Sequence, residues 1–308
     1  MKLALVGQLG EAERQAWMDA LQAALPEAQW VEAAPGVEVD VALVANPPPG
    51  RLQGLKGLKL IQSLWAGVDR LLADATLPAG VPIARMVDPA MSAAMAETAL
   101  WAVLSLHRSY FDYARQQREG TWHQLPQRRA DEMRVTVLGL GEMGLTAARR
   151  LVAQGYRVSG WSARPRSEPG IECVCGDDAL PALLSRSDVV VNLLPLTPAT
   201  RGLFNAERLA LLPSGASLVN LARGGHVVEA DLLAALDSGR LGHAVLDVFQ
   251  AEPLPVDHPF WKHPRVTVLP HAAALTDPRS AAGIAAANVR AVAAGQMPAH
   301  RVEFAHGY

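Results

Sequence analysis

Val135-Thr-Val-Leu-Gly139-Leu-Gly141-Glu-Met-Gly144 is a short β-branched and apolar run that breaks into three glycines and then opens a helical pattern. The helix is expected from Leu145 to Gln154, and a second apolar run, Tyr156 to Trp161, follows at once. Strand, glycine turn, helix, strand is the order in which Gly-x-Gly-x-x-Gly marks a dinucleotide site. Gly139 permits the tight turn, Gly141 lets the backbone approach a pyrophosphate, and Gly144 lets the helix pack closely on the strand. The helix N-terminus turns unpaired N–H groups and a partial positive charge toward the phosphates. The same spacing also occurs in ordinary Gly-rich turns; here the flanking strands and helix favour the dinucleotide reading.

This fingerprint sits near the middle of 308 residues, so another domain must occupy the first third. That part also reads as α/β. Strands are expected at Lys2–Val6, Val39–Val44, Leu58–Ile61 and Val81–Arg85, with an amphipathic helix at Glu11–Leu25. Asn46-Pro-Pro-Pro-Gly50 is a hard stop after the second of these strands. A long helical pattern, about Ala90 to Arg118, carries the domain crossing, and Gly120–Pro126 follows as a loop. Beyond the fingerprint, strands are expected at Asp188–Leu194, Ala216–Leu221, Ala244–Phe249 and Val266–Leu269, with a helix at Val228–Leu236. Alternating strands and helices imply parallel sheets with helical crossovers. After Pro270 too few residues remain for a third domain, and the Ala-rich helix Pro278–Ala294 is expected to return to the first. The expectation is therefore two Rossmann-like, doubly wound parallel-sheet domains with an active-site cleft between them. One comprises residues 1–95 plus 277–308 and binds substrate; the other comprises residues 96–276 and binds dinucleotide.

Composition narrows the function. Half the residues are apolar and the formal net charge is −2, which suits a globular protein with a substantial core. No basic footprint for nucleic acid is present, and the Arg128-Arg129 pair stands beside Asp131 and Glu132. No uncharged apolar run reaches the length of a membrane span, and the longest, Thr98–Leu106, reads as a buried helix. The N-terminal apolar run is too short for a signal-peptide core, so a cytoplasmic protein is expected. Cys173 and Cys175 are too few for a disulfide framework or a metal site and read as reduced thiols; no metal is expected.

Three polar residues follow strands of the second domain: Arg223 after Asn220-Leu-Ala, Glu252 after Leu246-Asp-Val-Phe-Gln-Ala, and His271 after Val268-Leu-Pro270. In open α/β sheets that edge is where ligands bind. With Asn220-Leu-Ala-Arg-Gly224, Leu246-Asp-Val-Phe-Gln-Ala-Glu-Pro-Leu-Pro255 and Pro270-His-Ala-Ala273 beside the fingerprint, the chain resembles the D-isomer-specific 2-hydroxyacid dehydrogenase family. Trp161-Ser-Ala-Arg, Asn192-Leu-Leu-Pro-Leu-Thr-Pro198, His226-Val-Val-Glu229 and the terminal Gly307-Tyr308 are most similar to its glyoxylate/hydroxypyruvate reductase A group. The resemblance spans nearly the whole chain and is closest over residues 135–275.

The resemblance implies a reaction that the residues can carry. The Arg223 fork binds the carboxylate and carbonyl of a 2-keto acid and stabilises the oxyanion that forms on hydride transfer. His271 is the implied proton donor, and Glu252 holds the imidazole and favours its protonated form. Alone, each could be a surface charge, a core histidine or a loop anchor; together on one sheet edge they favour catalysis. The resemblance also assigns backbone amides of Ala66, Gly67 and Val68 to the substrate carboxylate. Trp65 stands where family members often carry a smaller residue, and it reads equally as a pocket wall or as a hydrophobic anchor under the loop. Met143 is implied at the pyrophosphate, Leu194 and Pro195 against the cofactor, and Asp247 near the nicotinamide carboxamide.

The residue after the second Rossmann strand usually selects NAD or NADP. Here Gly160-Trp-Ser-Ala-Arg-Pro-Arg166 offers Ser162, Arg164 and Arg166 and no acid. A phosphate monoester carries roughly −1.5 to −2 charge near neutral pH, so NADPH is expected over NADH. The expected activity is NADPH-dependent reduction of small 2-keto acids, glyoxylate and hydroxypyruvate first. Rival readings are a reductase of larger or aromatic 2-keto acids and a non-enzymatic dinucleotide-sensing module. The family pattern implies a homodimer, with Arg108–Pro126, carrying Tyr110, Phe111, Tyr113 and Trp122, as the contact segment.

Overall fold

The computed structural model describes residues 1–303; the Gly307-Tyr308 pair lies outside the described residues. The chain forms two compact units, residues 1–91 with the segment from Thr276 onward, and Ser92–Leu275. The first unit opens with β1 (Lys2–Gly7), α1 (Glu11–Ala24), β2 (Gln29–Trp30), β3 (Val41–Ala45), β4 (Leu60–Ser63), α2 (Asp69–Leu72) and β5 (Ile83–Ala84). Its five strands are parallel in the order β2-β1-β3-β4-β5. Leu3 and Leu5 face one buried cluster, Ala4 and Val6 the other. Burial on both faces explains why these strands read as unbroken apolar runs.

The long helical pattern is two helices rather than one: α3 (Pro89–His107) and α4 (Tyr110–Arg118). Ser109 sits between them in the left-handed region at φ 56°. The turn lets Phe111 stack on His243, centroids 4.4 Å apart, and meet Trp101 edge-on at 5.9 Å. By length and composition α3 could cross a membrane. Its Met95, Ala99, Ala102 and Val103 instead lie in the core of the second unit.

That unit continues with β6 (Arg134–Leu138), α5 (Glu142–Ala153), β7 (Arg157–Ser162), β8 (Ile171–Cys175), α6 (Leu180–Leu184), β9 (Val189–Asn192), α7 (Ala206–Leu211), β10 (Ala216–Asn220), α8 (Glu229–Asp237), β11 (Leu241–Leu246) and β12 (Val266–Val268). Seven parallel strands run in the order β12-β11-β10-β9-β6-β7-β8, so the winding reverses between β9 and β6. Val135, Val137, Val189 and Val191 pack into one face's core, and Leu138, Val190 and Leu218 into the other's. Strand ends differ from the sequence expectation by a few residues throughout, and two boundaries and one further strand bear on the site. The fingerprint helix starts at Glu142, because Gly141 already serves as its N-cap. The strand expected at Ala244–Phe249 runs Leu241–Leu246 and ends where Asp247 turns inward. The Cys-Val-Cys stretch is the edge strand β8, an element the sequence reading did not assign.

α9 (Pro278–Ala293) returns to the first unit, where Ala281, Ala282, Ala285, Ala286 and Val289 pack in the cluster that holds Leu3 and Trp17. Asp277 caps its start by accepting from the Arg279 amide at 2.9 Å. Buried Asn288 anchors the segment to β4 through a 2.7 Å bond to Gln62 Oε1.

Candidate active site

The strand reversal between β6 and β9 builds the nucleotide end of the site, at the position where doubly wound sheets bind ligands. Gly139 follows β6 at φ 97°, and a Cβ there would stand 2.7 Å from the Leu193 carbonyl oxygen. A Cβ on Gly144 would reach 1.7 Å from the Gly139 carbonyl oxygen, so the helix closes on the turn only because no side chain intervenes. Gly141 is different: a Cβ there would meet nothing within 4 Å. The space beside it is open, and no side chain caps the α5 N-terminus. First-turn amides, Met143 among them, are thus left to serve a ligand. Open backbone and an uncapped helix dipole fit the pyrophosphate of a dinucleotide.

At the end of β7, Trp161 donates from Nε1 to the Gly176 carbonyl at 2.9 Å. The buried Ser162 hydroxyl donates to the Arg164 carbonyl at 2.6 Å. Its proton therefore shapes the turn that carries Arg164 and Arg166, both of which are exposed. After β9, Leu194 is buried, and its N–H donates to Asn192 Oδ1 at 3.3 Å. The Pro195 carbonyl accepts from the Thr200 hydroxyl at 2.8 Å.

The reacting end is assembled by the loops after β10, β11 and β12. Arg223 follows β10 in extended backbone, and its Nη1 donates to the Ala222 carbonyl at 2.7 Å. Its own carbonyl accepts from Asn220 Nδ2 at 3.0 Å. The next residue must be glycine, since a Cβ on Gly224 would lie 1.9 Å from the Phe249 carbonyl carbon. That close approach joins the Arg223 turn to the loop bearing Glu252.

Glu252 accepts from the Phe249 N–H at 3.0 Å through Oε1 and meets His271 Nδ1 at 2.8 Å through Oε2. A carboxylate only accepts, so Nδ1 carries a proton and Nε2 is left to exchange one elsewhere. Half of the His271 side chain is exposed, against a fifth of Glu252. Asp247 braces the histidine from behind. Its main-chain carbonyl accepts from the His271 N–H at 2.9 Å, and its carboxylate accepts from the Ala272 and Ala273 amides at 2.7 and 3.1 Å. These bonds hold His271 in its left-handed backbone, φ 54°. Burial pushes the Asp247 carboxyl above its ordinary range, against the pull of the two amides and of His271.

The structure thus links Glu252, His271 and Asp247 directly, and Arg223 to them through Gly224. In the first unit, Trp65 packs edge-on against buried Trp17 at 6.0 Å. Its backbone is held by the Ser63 hydroxyl, at 2.9 and 3.1 Å, and by the Met86 amide, at 3.1 Å. This packing seats one edge of the indole in the core of the first unit. Val68 is buried beneath the same loop, while Ala66 and Gly67 are partly exposed.

Three buried polar residues escaped the site reading: Asn192, Asn220 and His226. They bond one another or the Arg223 and Pro195 carbonyls. The available signal was an asparagine ending each of two fully buried strands. Among the described residues, no group of three or more His, Cys, Asp or Glu could hold a metal ion.

Residues 100–273 match the model of the D-isomer specific 2-hydroxyacid dehydrogenase, NAD binding domain. The chain belongs to the D-isomer specific 2-hydroxyacid dehydrogenase family. Within it, the chain is similar to a Serratia proteamaculans protein named glyoxylate/hydroxypyruvate reductase A, 42% identical over 95% of this chain and 96% of the relative. A D-isomer specific 2-hydroxyacid dehydrogenase from Xanthobacter autotrophicus, solved with NADPH and MES, superposes with a TM-score of 0.94 at 46% identity, covering 99% of each chain. An NADPH-dependent glyoxylate/hydroxypyruvate reductase from Sinorhizobium meliloti, solved with NADP and sulfate, gives 0.93 at 34% identity over 100% of this chain and 99% of its own. In a dehydrogenase of this family a histidine–carboxylate pair and an arginine on one sheet edge have an immediate chemical use.

Proposed function

We propose that this dehydrogenase reduces small 2-keto acids, glyoxylate and hydroxypyruvate foremost, with NADPH. The observation that carries the reading is the 2.8 Å pair of His271 Nδ1 and Glu252 Oε2, joined to the Arg223 turn by the Gly224 contact. The relatives' names and their bound NADPH and NADP support the substrate class and the cofactor.

A bound nicotinamide supplies the hydride, delivered to the carbonyl carbon. Arg223 binds the keto acid through its guanidinium and stabilises the negative charge gathering on the carbonyl oxygen. His271 gives its Nε2 proton to that oxygen, which yields the 2-hydroxy acid and a neutral imidazole. Glu252 keeps the ring oriented through Nδ1–H and places its negative charge beside it. The backbone at Gly139, Gly141, Met143 and Gly144 would hold the pyrophosphate. Leu194 and Pro195 would pack on the dinucleotide, with Asp247 near its carboxamide. Arg164 and Arg166 would take the 2′-phosphate, on a turn shaped by Ser162. In the first unit, the amides of Ala66, Gly67 and Val68 would serve the substrate carboxylate, with Trp65 as the loop's anchor.

The protein would work as a cytoplasmic homodimer. Tyr110 and Trp122 are 58% and 96% exposed and offer apolar surface, whereas Phe111 and Tyr113 pack within their own chain. The deciding experiment follows absorbance at 340 nm with NADPH and NADH against glyoxylate, hydroxypyruvate, pyruvate and phenylpyruvate. Oxidation of NADPH by the two small acids is expected. Turnover only with phenylpyruvate would favour the larger-acid reading, and tight NADPH binding without turnover would favour a sensing module.

A further inference from the structure

His226 is completely buried at the end of the short 3-10 turn Gly224–His226, one turn past Arg223. Its Nε2 lies 3.2 Å from the Pro195 carbonyl oxygen. Its Nδ1 lies 3.0 Å from Asn192 Nδ2 and 3.1 Å from the Arg223 carbonyl oxygen. The orientation of the Asn192 amide is set elsewhere. Its Oδ1 accepts from the Leu194 N–H, and its Nδ2 donates to Asn220 Oδ1 at 2.9 Å. Asn220 is fixed in turn, with Oδ1 accepting from the Ala222 N–H at 3.3 Å and Nδ2 donating to the Arg223 carbonyl. The ring is thereby assigned: Nδ1 accepts from Asn192, and Nε2–H donates to Pro195.

Each end of the imidazole serves a different loop. Nε2 holds the Leu194–Pro195 loop after β9. Nδ1 closes the Asn192–Asn220 pair that grips the backbone of Arg223 after β10. A neutral imidazole accepts on one side of a rigid ring and donates on the other. Asparagine and glutamine carry donor and acceptor on one carbon, so neither spans both partners.

We propose that His226 is a positioning residue that sets the Leu194–Pro195 loop with Nε2–H and, with Nδ1, the Asn192–Asn220 pair that holds the Arg223 backbone. The inference rests on the reading above, in which that loop packs on the dinucleotide and Arg223 grips the keto acid. It identifies a residue that touches neither ligand yet fixes both binding surfaces.

The test compares wild type with His226→Asn, His226→Gln and His226→Leu. Kd for NADPH is read by fluorescence titration without keto acid, then KM for glyoxylate, kcat and Tm. Asparagine reaches the Nδ1 partners but not Pro195, so Kd for NADPH should rise about tenfold while KM for glyoxylate stays within twofold. Glutamine reaches Pro195 and loses the Nδ1 partners, so the pattern should reverse. Leucine should raise both, since it removes the Nδ1 and the Nε2 bond at once. If leucine prevents folding, the opposed asparagine and glutamine patterns decide alone. Asparagine and glutamine variants that lower Tm but leave Kd and KM unchanged, or that each shift both constants equally, would overturn the inference. Arg223→Gln is assayed in parallel. Normal turnover there removes the underlying reading, whereas a crippled Arg223→Gln beside unchanged His226 variants removes this inference only.

Discussion

His271 and Glu252 meet at 2.8 Å, and the far oxygen of Glu252 is pinned at 3.0 Å by the Phe249 amide. The carboxylate therefore sits in one place, orients the ring and sets a negative charge beside it. His271→Ala should lower kcat by roughly 10²–10⁴, the usual worth of a positioned acid. Glu252→Gln separates the two duties: an amide oxygen still accepts from Nδ1–H but no longer stabilises a positive ring. Its kcat/KM for glyoxylate should fall between those of wild type and His271→Ala, because the ring keeps its orientation and loses the neighbouring charge. Wild-type activity in Glu252→Gln would mean that the charge of Glu252 plays no part.

Arg223 places one Nη1–H on the Ala222 carbonyl, which fixes how the planar group leaves the backbone. Arg223→Lys keeps the charge and loses the fork. A fall of about 10²–10³ in kcat/KM for glyoxylate is expected, the magnitude of losing an oxyanion donor. Full activity with lysine would show that charge alone suffices.

The turn after β7 bears on cofactor choice through two exposed guanidiniums and a hydroxyl that is occupied internally at 2.6 Å. Replacing Arg164 and Arg166 together by serine should raise KM for NADPH at least tenfold and leave KM for NADH within about twofold, because only the 2′-phosphate loses its partners. Ser162→Ala should act on both cofactors, through the shape of the turn. Equal losses with both cofactors in the double arginine variant would refute phosphate recognition by these residues.

What the sequence made legible follows from the range of the interactions. The Gly139, Gly141 and Gly144 spacing encodes a local geometry, and the sheet order around it follows from alternating apolar runs buried on both faces. Edge strands were harder: β2 has two residues, and β8 is only partly buried, so neither carries a continuous apolar signal. The break at Ser109 has no glycine or proline to announce it and depends on Phe111 finding His243 far along the chain. At the site, residues that act through side-chain chemistry stood out as motifs. Those that act by bracing did not, because the bonds of His226 to Asn192 and Pro195 join positions more than thirty residues apart.

His243 offers a stability test independent of catalysis. It lies on β11, stacks on Phe111 and bonds the Thr267 hydroxyl at 2.9 Å through Nε2. Burial, opposed by Asp112 and aided by His263 and Arg265, depresses its pKa from 6.5 to about 4. The unfolded chain therefore binds a proton at pH values where the folded chain does not, and stability must rise with pH across that window. Its contribution is fully present above the unfolded value and is lost as pH falls toward the folded one. At about 1.4 kcal/mol per unit, the loss between pH 7.5 and pH 4.5 is about 2–3 kcal/mol. His243→Phe keeps an aromatic partner for Phe111 and removes the titration. Chemical denaturation of both proteins at the two pH values should show a wild-type loss on acidification larger than the variant's by about that amount. Equal losses in the two proteins would mean that His243 accepts its proton in the folded state as readily as in the unfolded one.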